Sequence, residues 1–128
     1  MKEFENNAYF WQKVDTLYSF GDFKLVNKKG SKHLKYPSLK FPFDFGYIKT
    51  LDTDEENSME VFKGDKSKKV EAIILCADIL QKHFEVKVLV GLNEADQLEV
   101  LHFLNQTEFQ KTVIIRRGKE IPSWAIIE

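Results

Sequence analysis

The chain has 128 residues, a formal net charge of -1 and 43% hydrophobic residues, which fits one globular domain and excludes a disordered chain. Its 19 Lys and Arg residues are balanced by 20 Asp and Glu residues, so a dedicated nucleic-acid-binding protein, which is usually basic, is not expected. The one cysteine, Cys76, cannot form an internal disulfide and favours a reducing compartment. With no signal-peptide pattern and no spanning stretch, we expect a soluble, cytoplasmic protein whose residues 1–128 form a single domain.

The hydrophobic spacing predicts an N-terminal helix followed mainly by strands. Apolar side chains recur at three- and four-residue steps over residues 4–20, and we expect Phe10 and Trp11 to pack inward. Asn93 is typical of a helix N-cap, and the second helix should reach about Gln106. Short apolar segments predict strands over residues 22–26, 39–48, 59–62, 70–77, 84–90 and 113–115.

These elements predict an α+β domain built around a small antiparallel β-barrel of about five strands with flanking N-terminal and C-terminal helices. The strand positions expected to be buried are Leu25, Val61, Ile73, Leu75, Val86 and Val88. The second helix should bury three leucines, namely Leu98, Leu101 and Leu104. The apolar tail, residues 118–128, must also pack against something.

Carboxylates and lysines near strand ends are the most informative chemical feature. Asp78 ends one predicted strand, and Glu85 and Lys87 share a face of the next. Because consecutive antiparallel strands are neighbours, these three side chains could converge. Clustered carboxylates suit a hard cation such as Mg²⁺, and the lysine would then contact a phosphate. The alternative is a solvated acidic loop with a surface ion pair.

A second feature is a glycine-containing loop with four lysines: Lys28, Lys29, Lys32 and Lys35. Its amides and ammonium groups could cradle a phosphate, or the loop could simply be solvated. A third interpretation joins these lysines to Tyr36, Phe41 and Phe45 as a platform for single-stranded nucleic acid, which the charge balance disfavours. The three histidines, His33, His83 and His102, have no metal-ligand spacing, so we expect ordinary structural or surface roles.

Four segments, in this order, resemble the soluble family I inorganic pyrophosphatases, most closely their short bacterial branch. They are residues 29–37 (KGSKHLKYP), 41–48 (FPFDFGYI), 78–87 (DILQKHFEVK) and 104–111 (LNQTEFQK). The resemblance covers about residues 4–117 and implies a five-stranded, OB-like barrel with flanking helices. It also implies Mg²⁺-dependent hydrolysis of inorganic pyrophosphate, or of a related phosphoanhydride, with Mn²⁺ as an alternative ion.

The resemblance implies three overlapping groups of site residues. The metal ligands would be Glu55, Asn57, Glu60, Asp78 and Glu85. The catalytic residues would be Asp78, Glu85 and Glu60. The substrate-binding residues would be Lys32, Tyr47, Lys87 and Lys111. The implied partner is a small phosphorylated anion, pyrophosphate, with no nucleic acid and no membrane; a homo-oligomer is compatible with the sequence.

The acidic loop departs from the family pattern D-G-D-x-x-D. The two outer aspartates fall on Glu55 and Glu60, and the middle one falls on Asn57. A family tyrosine becomes Phe45, and the histidine of an H-N pair becomes Leu104. Mg²⁺ needs near-octahedral oxygens at about 2.0–2.1 Å, so we expect weaker Mg²⁺ binding, with Mn²⁺ less affected. The alternative function is a catalytically inactive paralogue that binds a phosphorylated ligand or a protein.

Overall fold

The computed structural model describes residues 6–49, 59–106 and 109–118. Its two helices are α1 (Ala8–Ser19) and α2 (Glu94–Leu104). Its strands are β1 (Asp22–Asn27), β2 (Asp44–Lys49), β3 (Met59–Lys63), β4 (Val70–Asp78), β5 (His83–Val90) and β6 (Gln110–Arg116). The predicted α+β class is confirmed. Neither helix of the described ranges is long and apolar enough to cross a membrane.

The six strands form one mixed sheet in the order β1-β2-β3-β5-β4-β6. Four neighbouring pairs are antiparallel, and the central pair, β3 with β5, is parallel. The expectation of a purely antiparallel arrangement is therefore wrong, and closure into a barrel is not confirmed because this sheet is open, with β1 and β6 at its edges. The last four residues of β5 are all buried, as expected of a strand covered on both faces. This burial agrees with the central position of β5, between β3 and β4.

Helix α1 packs on one face of the sheet. The Asn7 side chain caps it by accepting hydrogen bonds from the amides of Tyr9 and Phe10. Trp11 is fully buried as predicted, together with Val14. Phe10 remains 45% exposed, contrary to expectation, because it lies beside the buried stripe and only its ring edge meets the Trp11 ring, with the centroids 5.3 Å apart.

Helix α2 packs on the opposite face of the sheet. Asn93 is its N-cap, as predicted, and forms a capping box with Asp96. The buried positions of this helix are Gln97, Val100 and Leu104, whereas Leu98, which we expected inside, is 49% exposed. A glutamine can occupy the inward stripe because its amide donates to the Leu92 carbonyl and its oxygen accepts from Arg116, both at 3.0 Å.

Part of the sheet face beneath α1 extends beyond the helix. Val61 and Val88 are buried there, as predicted. Leu25, Leu75 and Val86 are not, with exposed fractions of 51%, 37% and 50%. The alternation predicted which side chains share a face but not how far one helix of 12 residues reaches across six strands. Residues 50–58, which include Glu55 and Asn57 of the acidic loop, and the apolar tail beyond Gly118 lie outside the described residues.

Candidate functional site

A cavity of about 280 Å³ lies on the α2 side of the sheet. Strand alternation directs four charged side chains toward it. Glu60 shares a strand face with the buried Phe62, and Asp78 shares a face with the buried Cys76. Glu85 and Lys87 share the face of β5 that also carries the buried Leu89. Glu60, Asp78, Glu85 and Lys87 all line the cavity.

The register of the sheet explains why these residues meet. The parallel pairing of β3 with β5 sets Glu60 beside Lys87. The antiparallel pairing of β4 with β5 sets Asp78 beside His83, next to Glu85. Residues far apart in sequence are thereby brought together by backbone hydrogen bonding rather than by a loop. The site is built on paired strands in the middle of the sheet.

A chain of alternating charges crosses the site. The Lys87 Nζ atom donates to Glu60 Oε1 at 2.8 Å and to Glu85 Oε2 at 3.0 Å. It also lies 5.4 Å from the centroid of the Phe45 ring. Glu85 Oε1 lies 2.7 Å from His83 Nε2. We call Glu60, Lys87, Glu85 and His83 the carboxylate–lysine network.

The pKa values of three members of the network, Lys87, Glu85 and His83, are shifted in the direction that favours their charged forms. Burial lowers the pKa of Lys87, but the carboxylates of Glu60 and Glu85 outweigh that effect, and the net pKa lies above its ordinary value. Burial raises the pKa of Glu85, but hydrogen bonds from His83 and Lys87 leave it below its ordinary value. The hydrogen bond to Glu85 raises the pKa of His83. The Lys87 ammonium is therefore a fixed positive charge between two carboxylates.

Asp78 has a structural role beside its place in the cavity wall. Its Oδ1 atom accepts hydrogen bonds from the backbone amides of Leu80 and Gln81, both at 2.9 Å. These bonds stabilise the tight connection from β4 to β5, in which Lys82 has a positive φ of 59°. One carboxylate oxygen is thus committed to the turn.

Three predicted substrate-binding residues do not line the cavity. Lys32 is exposed and forms an isolated β-bridge with Lys40. Tyr47 is partly buried beside Glu60 on the neighbouring strand. Lys111 pairs with Ala77, and the alternation of β6 turns it to the face opposite Asp78. Of the predicted substrate-binding set, only Lys87 lies in the cavity wall.

The lysine-rich loop uses several of its backbone amides internally. The Lys29 amide donates to Asp44 Oδ1, and the Gly30 amide donates to the Phe41 carbonyl. The Ser31 amide bonds to the Lys28 carbonyl. These N–H groups are not available to an anion, so the expected amide cradle is not formed by them. Lys35 is the loop lysine that reaches the cavity.

Sequence reasoning missed two histidines of this site. His33 lines the cavity, and His83 contacts Glu85. The i, i+2 spacing of His83 and Glu85 on one strand face was a usable signal. No comparable pattern marked His33, whose position depends on the fold of a loop.

Two aromatic residues, Phe103 and Phe109, were also missed. They join Tyr36, Phe41 and Phe45 around the cavity. The last three were grouped in the sequence as a nucleic-acid platform, and the structure does bring them together. The thiol of Cys76, beneath the cavity, is fully buried, and burial raises its pKa to about 11. It is therefore inert as a nucleophile.

The donors available for a divalent cation are carboxylates. Glu60 and Glu85 supply the hard oxygens that Mg²⁺ prefers, but the Lys87 ammonium lies between them. Within residues 6–49, 59–106 and 109–118, no group of three or more His, Cys, Asp or Glu side chains is arranged to hold a metal ion. Glu55 and Asn57, the other expected ligands, lie outside these ranges.

Comparisons with protein-family models, with curated proteins and with solved structures find no match to this chain. The resemblance to the pyrophosphatases therefore stays a prediction based on its four segments.

Proposed function

We propose that this protein hydrolyses inorganic pyrophosphate, or a related phosphoanhydride, with the help of Mg²⁺ or Mn²⁺. The observation that supports this most directly is the meeting of the Glu60, Asp78 and Glu85 carboxylates with the Lys87 ammonium in one cavity. Carboxylates hold a divalent cation and accept protons, and an ammonium group stabilises charge on a phosphate. Two finer proposals rest on the sequence, an OB-like barrel and a cytoplasmic location.

Each charged group has a distinct role in this proposal. Glu60, Asp78 and Glu85 are not arranged to hold a metal ion among the described residues, so in this proposal Glu55 and Asn57 would have to complete the cation site, and the bound cation would make water a better nucleophile. Lys87 has three ammonium protons, of which two bond to Glu60 and Glu85 in the described part of the chain. The third can reach a phosphate oxygen. Lys32, Tyr47 and Lys111 would have to approach the substrate by movement, since they do not line the cavity.

One observation favours the alternative function. Lys87 already neutralises charge on both glutamates without a cation. A protein that retains the fold but only binds a phosphorylated ligand or a protein partner needs no catalytic cation. The pairing with Lys87 would then be sufficient to balance the charge of the two glutamates. The altered acidic loop in the sequence favours the same alternative.

Phosphate release from pyrophosphate separates the two. We expect the parent protein to release phosphate with Mg²⁺ or Mn²⁺, and Glu60→Gln to lose on the order of 10²-fold in kcat/KM, because misplaced ligands are costly. Glu99→Gln, which alters an exposed glutamate of α2, is the matched control and should retain the parent rate. If the parent releases no phosphate with either ion, the alternative is correct, and the protein binds a phosphorylated ligand or a protein partner without catalysis.

A further inference from the structure

The cavity of the candidate site has two chemically different ends. One end carries Asp78 and the carboxylate–lysine network. The rest of the lining includes six rings, namely His33, Tyr36, Phe41, Phe45, Phe103 and Phe109, which we call the aromatic wall, together with Lys35, Phe62 and several aliphatic and amide side chains. Inorganic pyrophosphate presents only phosphate oxygens, so it would leave the aromatic wall unused.

The inner part of the aromatic wall is preformed. The Phe41 ring lies 4.8 Å from the Phe103 ring and 5.6 Å from the Phe45 ring, measured between centroids. The His33 ring stacks on Phe41 at 5.8 Å, with an angle of only 6° between their planes. These contacts fix the rings before any ligand arrives, which reduces the entropy lost on binding.

The outer part of the wall keeps apolar surface in contact with water. Tyr36 is 39% exposed and Phe109 is 45% exposed, although both line the cavity. Apolar and aromatic lining with a few polar groups at one end is typical of sites for organic small molecules. A planar group that enters here would cover these two rings.

His33 gives the wall a neutral character. The backbone amides of Lys35 and Tyr36 donate to its Nδ1 atom at 3.1 and 3.4 Å. Nδ1 therefore acts as an acceptor, and the proton of the neutral ring resides on Nε2. Burial, aided by the nearby Lys35 charge, lowers the pKa of His33. The six rings of the aromatic wall therefore carry no formal charge and suit a planar ring, while the Lys35 ammonium, which also lines the cavity, adds a positive charge beside them.

We propose that the aromatic wall binds a planar ring, and that the substrates of this site include organic phosphoanhydrides that carry an aromatic or heteroaromatic group, such as nucleoside diphosphates. This inference rests on the proposed hydrolase function. Water oxygen bonds to the terminal phosphorus and the bridging P–O bond breaks. The products are inorganic phosphate and the ring-bearing monophosphate, with release of one proton.

The test compares adenosine diphosphate with methyl diphosphate, which carries no ring. Stacking a base on aromatic side chains changes binding by roughly tenfold or more, so we expect the KM of adenosine diphosphate to be at least about tenfold lower. Phe109→Leu and Tyr36→Leu should each bring the ratio of the two KM values, methyl diphosphate over adenosine diphosphate, closer to one. Both positions are partly exposed, so these variants should remain folded, which circular dichroism would verify.

Phe84→Leu is the matched control, because Phe84 is 84% exposed and does not line the cavity. It should leave the ratio unchanged. Equal KM values for the two diphosphates in a protein that hydrolyses pyrophosphate would overturn the ring site and leave the proposed function intact. If neither pyrophosphate nor the two organic diphosphates are hydrolysed, the proposed function fails, and calorimetric Kd values for the two organic compounds still decide the ring site: a ratio near one rejects it. Hydrolysis of pyrophosphate alone would overturn the inference about organic substrates and leave the proposed function intact.

Discussion

Lys87 combines deep burial with a full positive charge. Only 6% of the residue is exposed, and its ammonium is bonded to two glutamates that remain about a third exposed. Its role is therefore both structural and electrostatic. Removing one partner of such an arrangement leaves the remaining charges without compensation, which is costlier than losing a surface ion pair.

We expect Lys87→Met to lower the free energy of unfolding by roughly 2–4 kcal/mol near neutral pH. The loss should shrink at low pH, as the pH falls through the pKa of Glu85, which lies below its ordinary value of 4.5. Mn²⁺ should stabilise Lys87→Met more than it stabilises the parent, because the cation then occupies an uncompensated pair of carboxylates. Urea denaturation with and without Mn²⁺ measures both effects. The control is Lys24→Met, which changes an exposed lysine of β1. If Mn²⁺ stabilised Lys87→Met and the parent equally, the idea that the Lys87 ammonium and the metal compete for the same carboxylates would be wrong.

The hydrogen bond between His83 and Glu85 leads to a second prediction about a single residue, the titration of the His83 ring. The pKa of His83 is raised above its ordinary value of 6.5, chiefly by the hydrogen bond to Glu85. The stability that this pair contributes is therefore fully present below pH 6.5 and is lost as the pH rises through the higher folded value. An NMR titration of the His83 ring protons should give a midpoint above 6.5 in the parent and a lower midpoint in Glu85→Gln. An unchanged midpoint would mean that the two side chains do not interact in solution.

Strand alternation alone predicted which charged side chains share the site. Asp78, Glu85 and Lys87 were grouped from their spacing, and these three line one cavity. The same reasoning could not find His33 or Phe103, because a loop and a helix bring them to the cavity from elsewhere in the chain. Alternation also gave no warning that the Lys87 ammonium would bond to both glutamates.

Helix α1 is fastened to the sheet by one ion pair as well as by its buried stripe. The two terminal guanidinium nitrogens of Arg117 donate to the two carboxylate oxygens of Asp15, at 3.0 and 2.8 Å. Arg117 also donates to the Val70 carbonyl and lies over the Trp11 ring, 5.9 Å from its centroid. One arginine thus joins the helix, β4 and the segment that follows β6.

Asp15→Asn should therefore lower the free energy of unfolding by about 1–2 kcal/mol near pH 7. The hydrogen bond from Arg117 is the main reason that the pKa of Asp15 lies below its ordinary value of 3.8. The contribution is present above pH 3.8 and is lost as the pH falls through the lower folded value. Parent and variant should converge in urea denaturation at low pH. Asp65→Asn supplies the comparison, because Asp65 is 95% exposed and lies 3.9 Å from Lys66; a loss as large as that of Asp15→Asn would contradict this account.

The order and type of the elements could be predicted, because each depends on local pattern. Every strand of the structure overlaps a predicted one, and the Asn93 cap is confirmed. The inward face of α2 could not be predicted, since burial of Gln97 depends on hydrogen bonds to Leu92 and Arg116. A polar residue becomes a core residue only when distant partners satisfy it.

At the scale of the whole molecule, the acidic loop should control metal preference. Asn57 carries no charge, and the longer side chains of Glu55 and Glu60 displace their carboxylates relative to aspartate. Restoring aspartate at all three positions, by Glu55→Asp, Asn57→Asp and Glu60→Asp together, should raise Mg²⁺ affinity and pyrophosphate hydrolysis. The gain should be smaller with Mn²⁺, which binds a given site more tightly than Mg²⁺ does.

Calorimetric metal titration and phosphate release from parent and triple variant test this expectation. The variant Glu99→Gln, which lies far from the acidic loop in sequence and is exposed on α2, controls for a general effect of altered surface charge. If neither metal binding nor hydrolysis improves, the loop does not form the metal site that the resemblance implies.

The sheet topology could not be predicted from local pattern. Periodicity identifies strands but does not reveal that β5 lies beside β3 while β4 moves outward to pair with β6. The apolar pattern does not indicate this choice, because the uninterrupted apolar run of β4, residues 72–77, is longer than that of β5, residues 88–90. The barrel was expected to be antiparallel, and the parallel β3–β5 pair departs from that expectation.

The parallel pair has a consequence for how the site comes into being as the chain folds. It divides the sheet into two antiparallel halves, β1-β2-β3 and β5-β4-β6, and the second half contains a tight hairpin that closes a short stretch of chain. Joining the halves requires contacts across a greater separation, such as the 27 positions between Glu60 and Lys87, and such contacts form more slowly than local ones. We therefore expect amides at the junction of β3 and β5 to gain protection from hydrogen exchange after those of the β4–β5 hairpin. Since Glu60 and Lys87 face each other across that junction, a chain in which the β4–β5 hairpin has formed but has not yet joined β3 would hold Asp78, Glu85 and Lys87 together without Glu60.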